Sequence, residues 1–253
     1  MKRCDLHIHS NYSYDTKQTE TIESYCLKAI EKNVDVICFC DHIEYNVQCN
    51  TFDSFQFEKR IEEYKKVTKK YIDKVKVLLG FEIGSPHLHP EIVDKLKKYN
   101  PDMIIGSIHY PEVIDYFEND FDLNIWMRKF DQMTYDMVCY GNFNVVGHLD
   151  MLKKYYGDLY IADIDMQKRI IDKIIEKNLV LEINTSSLRS EISDTMPGKE
   201  IIEYYKDKGG KYVTINSDAH QAKDLFMDYD RVLYQLPKEL KLCYFEKGKL
   251  IEA

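Results

Sequence analysis

Six of the eight histidines, His7, His9, His42, His109, His148 and His220, stand at or just past the end of a short apolar run. Such runs read as buried strands, and strand ends are where an α/β barrel presents its reactive groups. In Asp5-Leu6-His7-Ile8-His9 the two-residue period of a strand turns Asp5, His7 and His9 to one face and Leu6 and Ile8 to the other. Two imidazoles so placed can grip one metal ion. Carboxylates occupy comparable places: Asp41 before His42, Glu82 in Gly80-Phe81-Glu82, and Asp218 two residues before His220. Imidazole and carboxylate together suit zinc, manganese or iron.

Each signal has a plainer reading when taken alone. A His-x-His pair is more often surface or core than ligand, an Asp-His pair can cap a helix, and His109 and His148 taken singly are structural by default. Glu82 is different, because an unpaired carboxylate inside Leu78-Leu79-Gly80-Phe81-Glu82-Ile83-Gly84 is costly to desolvate and calls for a cation. The glycines beside it permit close backbone approach. The polar loop Ser10–Asp15 after His9 brings Asp15 within reach as another carboxylate. Agreement among five separate positions, rather than any one of them, points to a metal centre.

To converge, these residues need a frame. Strand-like runs cover 4–9, 34–40, 75–83, 103–108, 144–147, 179–184 and 212–216, and helical periodicity covers 19–33, 54–71, 90–99, 119–140, 164–178, 198–208 and 224–236. The alternation predicts an α/β fold of parallel strands joined by right-handed crossovers. An open sheet gathers its site at one switch point, whereas a barrel gathers the ends of all its strands at one mouth. Polar candidates after all seven strands therefore favour a distorted (β/α)7 TIM-like barrel, as a single domain over 1–253. Residues 242–252, with Lys247-Gly248 as the turn, predict a terminal hairpin.

A chain of 253 residues suits one such barrel, and 44% apolar with 31% charged residues argues against disorder. The net charge of −8 disfavours nucleic acid as a partner, since phosphate backbones are bound by clustered Lys and Arg. With neither an apolar leader nor a membrane-length run, the expectation is a cytoplasmic protein with no membrane partner. Seven cysteines without Cys-x-x-Cys spacing argue against both disulfides and a thiolate zinc site. Nothing in the sequence sets the oligomeric state.

Taken in order, Asp5-Leu6-His7-Ile8-His9-Ser10, Asp41-His42, Gly80-Phe81-Glu82, Ser107-Ile108-His109, Gly147-His148-Leu149-Asp150 and Ser217-Asp218-Ala219-His220 resemble the motifs of the polymerase and histidinol phosphatase (PHP) superfamily, over nearly the whole chain. Length, the segment Glu182-Ile183-Asn184-Thr185-Ser186 and Arg189 are similar to the PHP-type histidinol-phosphate phosphatases. The resemblance implies a distorted seven-stranded barrel with three divalent ions. One would be held by His7, His9, Glu82 and Asp218, with Glu82 bridging to a second on His109 and His148. His42 and His220 would hold the third, completed by Asp15 where many relatives carry a histidine.

Phosphate monoesters are among the slowest biological bonds to hydrolyse, so charge stabilisation must dominate. Clustered ions lower the pKa of bound water to about 7 and neutralise phosphoryl oxygens, which removes the need for a protein nucleophile. The function implied is hydrolysis of L-histidinol phosphate to L-histidinol and phosphate in histidine biosynthesis, by attack of a metal-bridging hydroxide on phosphorus. Arg189 is expected to clamp phosphoryl oxygens, and Asp41, His220 or a metal-bound water to protonate the leaving alkoxide. Tyr14, Tyr110, Glu112 and Asp115, in loops at the same barrel end, are candidates for the cationic end of the substrate. The nearest alternative is a PHP phosphoesterase acting on nucleotides, phosphotyrosine or oligonucleotide ends. More distant are a module that metal merely stiffens and an amidohydrolase, for which no bridging lysine is evident.

Overall fold

The computed structural model describes residues 1–45, 49–109, 122–190 and 192–253. Tyr110, Glu112 and Asp115 lie outside the described residues. Strands β1 (Cys4–Ile8), β2 (Val36–Phe39), β3 (His42–Ile43), β4 (Lys76–Gly84), β5 (Met103–Ser107), β6 (Val145–Val146), β7 (Val180–Asn184) and β8 (Tyr212–Asn216) follow the expected order. They pair in parallel as β1-β2-β4-β5-β6-β7-β8, with the two-residue β3 also pairing β4 just beyond β2. Helices α1 (Ile22–Glu31), α2 (Phe57–Tyr71), α3 (Pro90–Lys97), α4 (Leu123–Tyr140), α5 (Leu152–Tyr156), α6 (Ile164–Glu176), α7 (Lys199–Asp207) and α8 (Tyr229–Gln235) fill the crossovers. Three of them start on side-chain caps: Thr21, Asp122 and Asp163 accept backbone N–H groups of the first turns of α1, α4 and α6.

The barrel closes across a seam instead of a ladder. Between β8 and β1, Leu6 N donates to the Asn216 side-chain oxygen at 2.9 Å and His9 N to Ala219 O at 2.9 Å, and Ile8 bridges Ala219. A side-chain amide thus stands in for one rung. The result is a distorted (β/α)7 barrel, as expected. The hairpin β9 (Lys241–Glu246) and β10 (Lys249–Glu252) continues the sheet from the N-terminal half of β8. Lys247 and Gly248 both take positive φ at its turn, as a two-residue type I′ connection requires.

One apolar cluster mixes strand and helix residues; a second draws on strands and on Cys40 just past β2, and includes Cys4, Leu6, Val36, Cys38, Leu78, Ile105 and Val180. This corrects the alternation expected of β1. Cys4 and Leu6 join the second cluster while Ile8 joins the first, because the register of β1 against β2 shifts between Asp5 and Ile8. The irregularity lets His7 turn to the site out of period, much as bulges re-aim side chains near active sites. Asp5 is not with the histidines: its carboxylate accepts Ser217 N, Ser217 Oγ and Phe226 N, fixing the chain after β8. The short α5 was not legible, since five residues give no periodicity.

Candidate metal centre

Glu82 occupies the middle of the barrel mouth, and four imidazoles from four different strand ends close on it. Its Oε2 lies 2.9 Å from His42 Nδ1 and 3.1 Å from His7 Nε2; its Oε1 lies 2.9 Å from His148 Nε2 and 3.2 Å from His109 Nε2. Ser107 Oγ donates to Oε1 at 2.7 Å. His9 Nε2 stands 3.1 Å from Asp218 Oδ1 and 3.6 Å from Glu82 Oε2. His220 Nε2 meets Asp15 Oδ2 at 3.0 Å and His42 Nε2 at 3.4 Å. All nine residues expected as ligands are therefore brought together, Asp15 among them.

The donor set suits a cation better than it suits a hydrogen-bonded cluster. His7 Nε2, His42 Nδ1 and Glu82 Oε2 are buried, close together, and without a hydrogen-bond partner of acceptable geometry. Buried polar atoms are normally satisfied, so three converging orphans want a cation. Three overlapping sets, His7–His9–Glu82, His42–Glu82–His109 and His9–His42–His220, hold their donor atoms within 4.8 Å of one another. A tetrahedral ion with bonds of about 2.0–2.1 Å spaces its ligands by about 3.3 Å, and the His109–His148 Nε2 separation is 3.3 Å.

Charge in the site is balanced internally. Burial works against a proton on His7 and His109, yet the carboxylates around them outweigh it and hold both well above ordinary imidazole. His42 is pushed up to about 10, with Glu82 and Asp15 overcoming burial. His9, stacked between the rings of His42 and His220, is lowered to about 3 by burial and then by those rings. Burial would raise Glu82 and Asp218, but the imidazoles hold both well below the usual carboxylate range. A cation would take the place of these protons, since metal ligation needs neutral rings and ionised carboxylates.

The scaffolding around the ligands is more extensive than the sequence suggested. His7 Nδ1 meets Glu182 at 2.7 Å and His109 Nδ1 meets Glu44 at 2.5 Å, carboxylate partners that orient ligating rings. Both were missed, although His42/Glu44 and Glu182/Asn184 repeat the i, i+2 spacing of His7/His9. Gly84 makes room for Glu44: a Cβ there would lie 1.9 Å from its Oε2. Asp218 adopts φ +51, a conformation uncommon outside glycine, and its carbonyl accepts from Arg189 Nη2 at 3.2 Å.

Asp41 corrects an expectation. It is fully buried away from the open cavity, paired with the guanidinium of Arg60 and accepting Ser10 N, Ser10 Oγ and Ser13 Oγ. Burial pushes its carboxyl up, but Arg60 prevails and holds it low, so it has no proton to give a leaving group. Its work is indirect. Ser13 Oγ, held by Asp41, contacts His9 Nδ1 at 3.2 Å and takes His42 N at 3.1 Å. Arg60 was unreadable as a core residue because α2 is rich in Lys and Glu, where an Arg looks solvated.

A cavity of about 360 Å³ opens over the ligands. Asp15, His42, His109, His148, Asp218 and His220 form its floor, and Tyr14, Trp126, Met151, Leu152, Tyr155 and Tyr156 form largely apolar walls. Lys154 joins this lining, with Nζ 3.0 Å from Ser186 Oγ, a cation that sequence reading had passed over. Arg189 sits behind Asp218 and is not part of that lining, while its Nη1 is buried without a hydrogen-bond partner. No helix among the described residues is long and apolar enough to cross a membrane.

A model of the PHP domain matches residues 5–186. The chain is 28% identical over 259 aligned residues to a probable histidinol-phosphatase of Clostridium acetobutylicum, covering 96% of each. To the histidinol-phosphatase of Lactococcus lactis subsp. lactis it is 26% identical over 235 residues, 88% of this chain and 86% of the relative. A crystal structure of histidinol phosphate phosphatase from Lactococcus lactis, complexed with zinc, L-histidinol and phosphate, has a TM-score of 0.86 at 23% identity, covering 99% of both chains. At that identity the likeness establishes the fold. The matched range ends before β8, so Asp218 and His220 enter the site on geometry alone.

Proposed function

Because the chain belongs to the PHP domain family, we propose that it is a metal-dependent phosphatase that hydrolyses L-histidinol phosphate to L-histidinol and phosphate. One observation carries the reading: Glu82 is reached within 3.2 Å by His7, His42, His109 and His148. Such a carboxylate, surrounded on both oxygens by ligating nitrogens, is the natural bridge of a multi-ion site. Three ions, zinc, manganese or iron, fit the three overlapping ligand sets. When bound, they supply a nucleophilic water at neutral pH and neutralise phosphoryl oxygens.

The chain's own residues do the rest. The floor ligands fix the ion positions, and Lys154 and Arg189, on either side of Asp218, bring positive charge to the phosphoryl end. His220, half-buried at the rim, lines the cavity with Nε2 toward Asp15 and His42 and Nδ1 toward the Asp218 carbonyl, so it would serve as a ligand and not as the donor of a proton to the leaving alkoxide. Trp126, Tyr155, Tyr156 and Tyr14 offer aromatic surface to an imidazole and its ammonium. The names of the curated relatives support this substrate over the nucleotides, phosphotyrosine or oligonucleotide ends that other enzymes of this chemistry would take. The reading extends to one domain over 1–253, acting on a small molecule in the cytoplasm within histidine biosynthesis.

The test is phosphate release by metal-assayed protein from L-histidinol phosphate, nucleoside monophosphates and phosphotyrosine in parallel. The proposal expects kcat/KM for L-histidinol phosphate to exceed the others by at least about 100-fold, the discrimination expected of a fitted pocket. Equal or greater turnover of a nucleotide or phosphotyrosine would replace the substrate and keep the chemistry. No phosphate release from any of the esters would overturn both.

A further inference from the structure

Glu182, fully buried in β7, ties together two ligands that reach opposite oxygens of Glu82. Its Oε1 receives His7 Nδ1 at 2.7 Å and Asn216 Nδ2 at 2.8 Å; its Oε2 receives the backbone N–H of His148 at 2.7 Å and Asn184 Nδ2 at 3.2 Å. Every neighbour but His7 can only donate here, and an ionised carboxylate can only accept. His7 must therefore carry a proton on Nδ1, which leaves Nε2, on the Glu82 side, as the atom that would hold an ion. His148 is held differently, through the main chain from which its ring extends.

We propose that Glu182 is a positioning residue that sets two ion subsites as one unit, fixing the tautomer of His7 and the backbone at His148 with the two oxygens of a single carboxylate. Glu44 marks the contrast, since among the described residues its carboxylate meets one ligand, His109, through Oε1. Four donors converge on the two oxygens of Glu182, the pattern an ionised carboxylate accepts. Outer carboxylates of this kind raise the basicity of the ring they touch and hold its orientation. What is unusual here is that one such group serves ligands on both sides of the bridging Glu82.

This inference rests on the reading of the site as a multi-ion centre, and the two fail separately. Glu182→Gln keeps the shape but converts one acceptor oxygen into an NH2 group that must face a pair of donors. Metal-loaded wild type, Glu182→Gln and Glu44→Gln would be titrated with a chromophoric chelator, with metal per chain measured by mass spectrometry. Glu182→Gln is expected to weaken retention of two ions together by about 10–100-fold, and Glu44→Gln to weaken one. Two ions held at wild-type affinity by Glu182→Gln, or only one loosened, overturns the proposal and leaves the metal centre standing. A wild-type protein that retains no ion removes both. Should Glu182→Gln not fold, ¹⁵N spectra of the wild-type histidine rings decide: His7 protonated on Nδ1 and ligated through Nε2 supports the assignment, and the opposite tautomer overturns it.

Discussion

The Nε2 atoms of His42 and His220 face each other across 3.4 Å. Asp15 Oδ2 lies 3.4 Å from the first and 3.0 Å from the second, so three donor atoms, from β3 and from the loops after β1 and β8, frame one point at the rim of the mouth. Of the ligand sets, this is the most exposed, with Asp15 about one-third accessible. It is therefore the position from which an ion is most easily lost. Asp15→Asn keeps the reach and removes the charge. We expect one ion per chain to be retained at least about 10–100-fold more weakly, the effect that even an orienting partner has on metal affinity. Metal analysis after graded dialysis checks this, and unchanged stoichiometry would take Asp15 out of the ligand set.

Arg189 donates to the carbonyl of Asp218 and Lys154 to Ser186 Oγ, and neither touches the Asp218 carboxylate itself, whose ligating oxygen is left to His9. Arg189→Ala should raise KM for L-histidinol phosphate by roughly 10–100-fold, the equivalent of a lost charge-assisted hydrogen bond of about 1.5–3 kcal/mol. Metal content should stay at the wild-type value. Lys154→Met should act in the same direction, and the pair together more than either alone. Steady-state kinetics at saturating metal separate this from a folding effect, and an unaltered KM in both variants would leave the phosphoryl end without a protein clamp.

The buried pair of Asp41 and Arg60 holds the loop that carries Ser13, and through it His9 and His42. Arg60 also donates to Phe39 O and Gly80 O, on two strands. Arg60→Met would leave the Asp41 carboxylate buried and uncompensated. Loss of one partner of such a pair costs about 3–5 kcal/mol, which a urea titration of the metal-free protein would report. Simultaneous Asp41→Asn should recover part of that loss, because no charge is then stranded.

Away from the mouth, Asp131 on α4 is 3% exposed and has its carboxyl raised to about 7, by burial first and then by Asp163 and Asp150. The folded state thus binds its proton more tightly than the unfolded chain, whose value is near 3.8. The associated stability is complete below about pH 4 and is lost as pH rises through 7, by up to about 4 kcal/mol. Asp131→Asn removes that dependence. At pH 8 the variant should melt several degrees higher than wild type, at about 2–4 °C per kcal/mol for a chain of this size, and at pH 4.5 the two should differ little. Calorimetry at the two pH values checks the sign.

Most of the frame and the ligand set were legible because period and residue type coincide in them: an apolar run ends, and an imidazole or carboxylate follows. Glu82 could be read as needing a positive partner, a metal ion or an Arg or Lys, because a carboxylate in so apolar a segment is costly to leave unpaired. The orienting residues were not legible for a physical reason. Glu44, Glu182 and Arg60 act only through contacts with residues distant in sequence, and nothing local marks a Glu or an Arg as having its charge satisfied across the barrel. Asp41 was misread for the same cause, its partner lying in the first turn of a helix that looks wholly solvated. The irregular register of β1 was equally hidden, since its residue pattern is a clean alternation.

Gly84 offers a test of that unseen scaffolding that leaves every ligand in the sequence. A methyl group at position 84 would sit 1.9 Å from Glu44 Oε2 and 2.6 Å from its carboxyl carbon, and both β3 and β4 are fixed by their pairing. In Gly84→Ala the Glu44 carboxylate must therefore swing off His109 Nδ1. Without it the His109 ring loses its fixed orientation, although His148 and Glu82 still surround the same point. The expected outcome is a protein that folds and keeps the ions held by His7 and His9, but binds the ion at His109 roughly 10–100-fold more weakly and regains activity when metal is added in excess. Rescue by metal is the decisive reading, since a lost general acid or phosphate clamp would not respond to it. An enzyme impaired at every metal concentration would mean that Gly84 serves the packing of β4 and not the setting of His109.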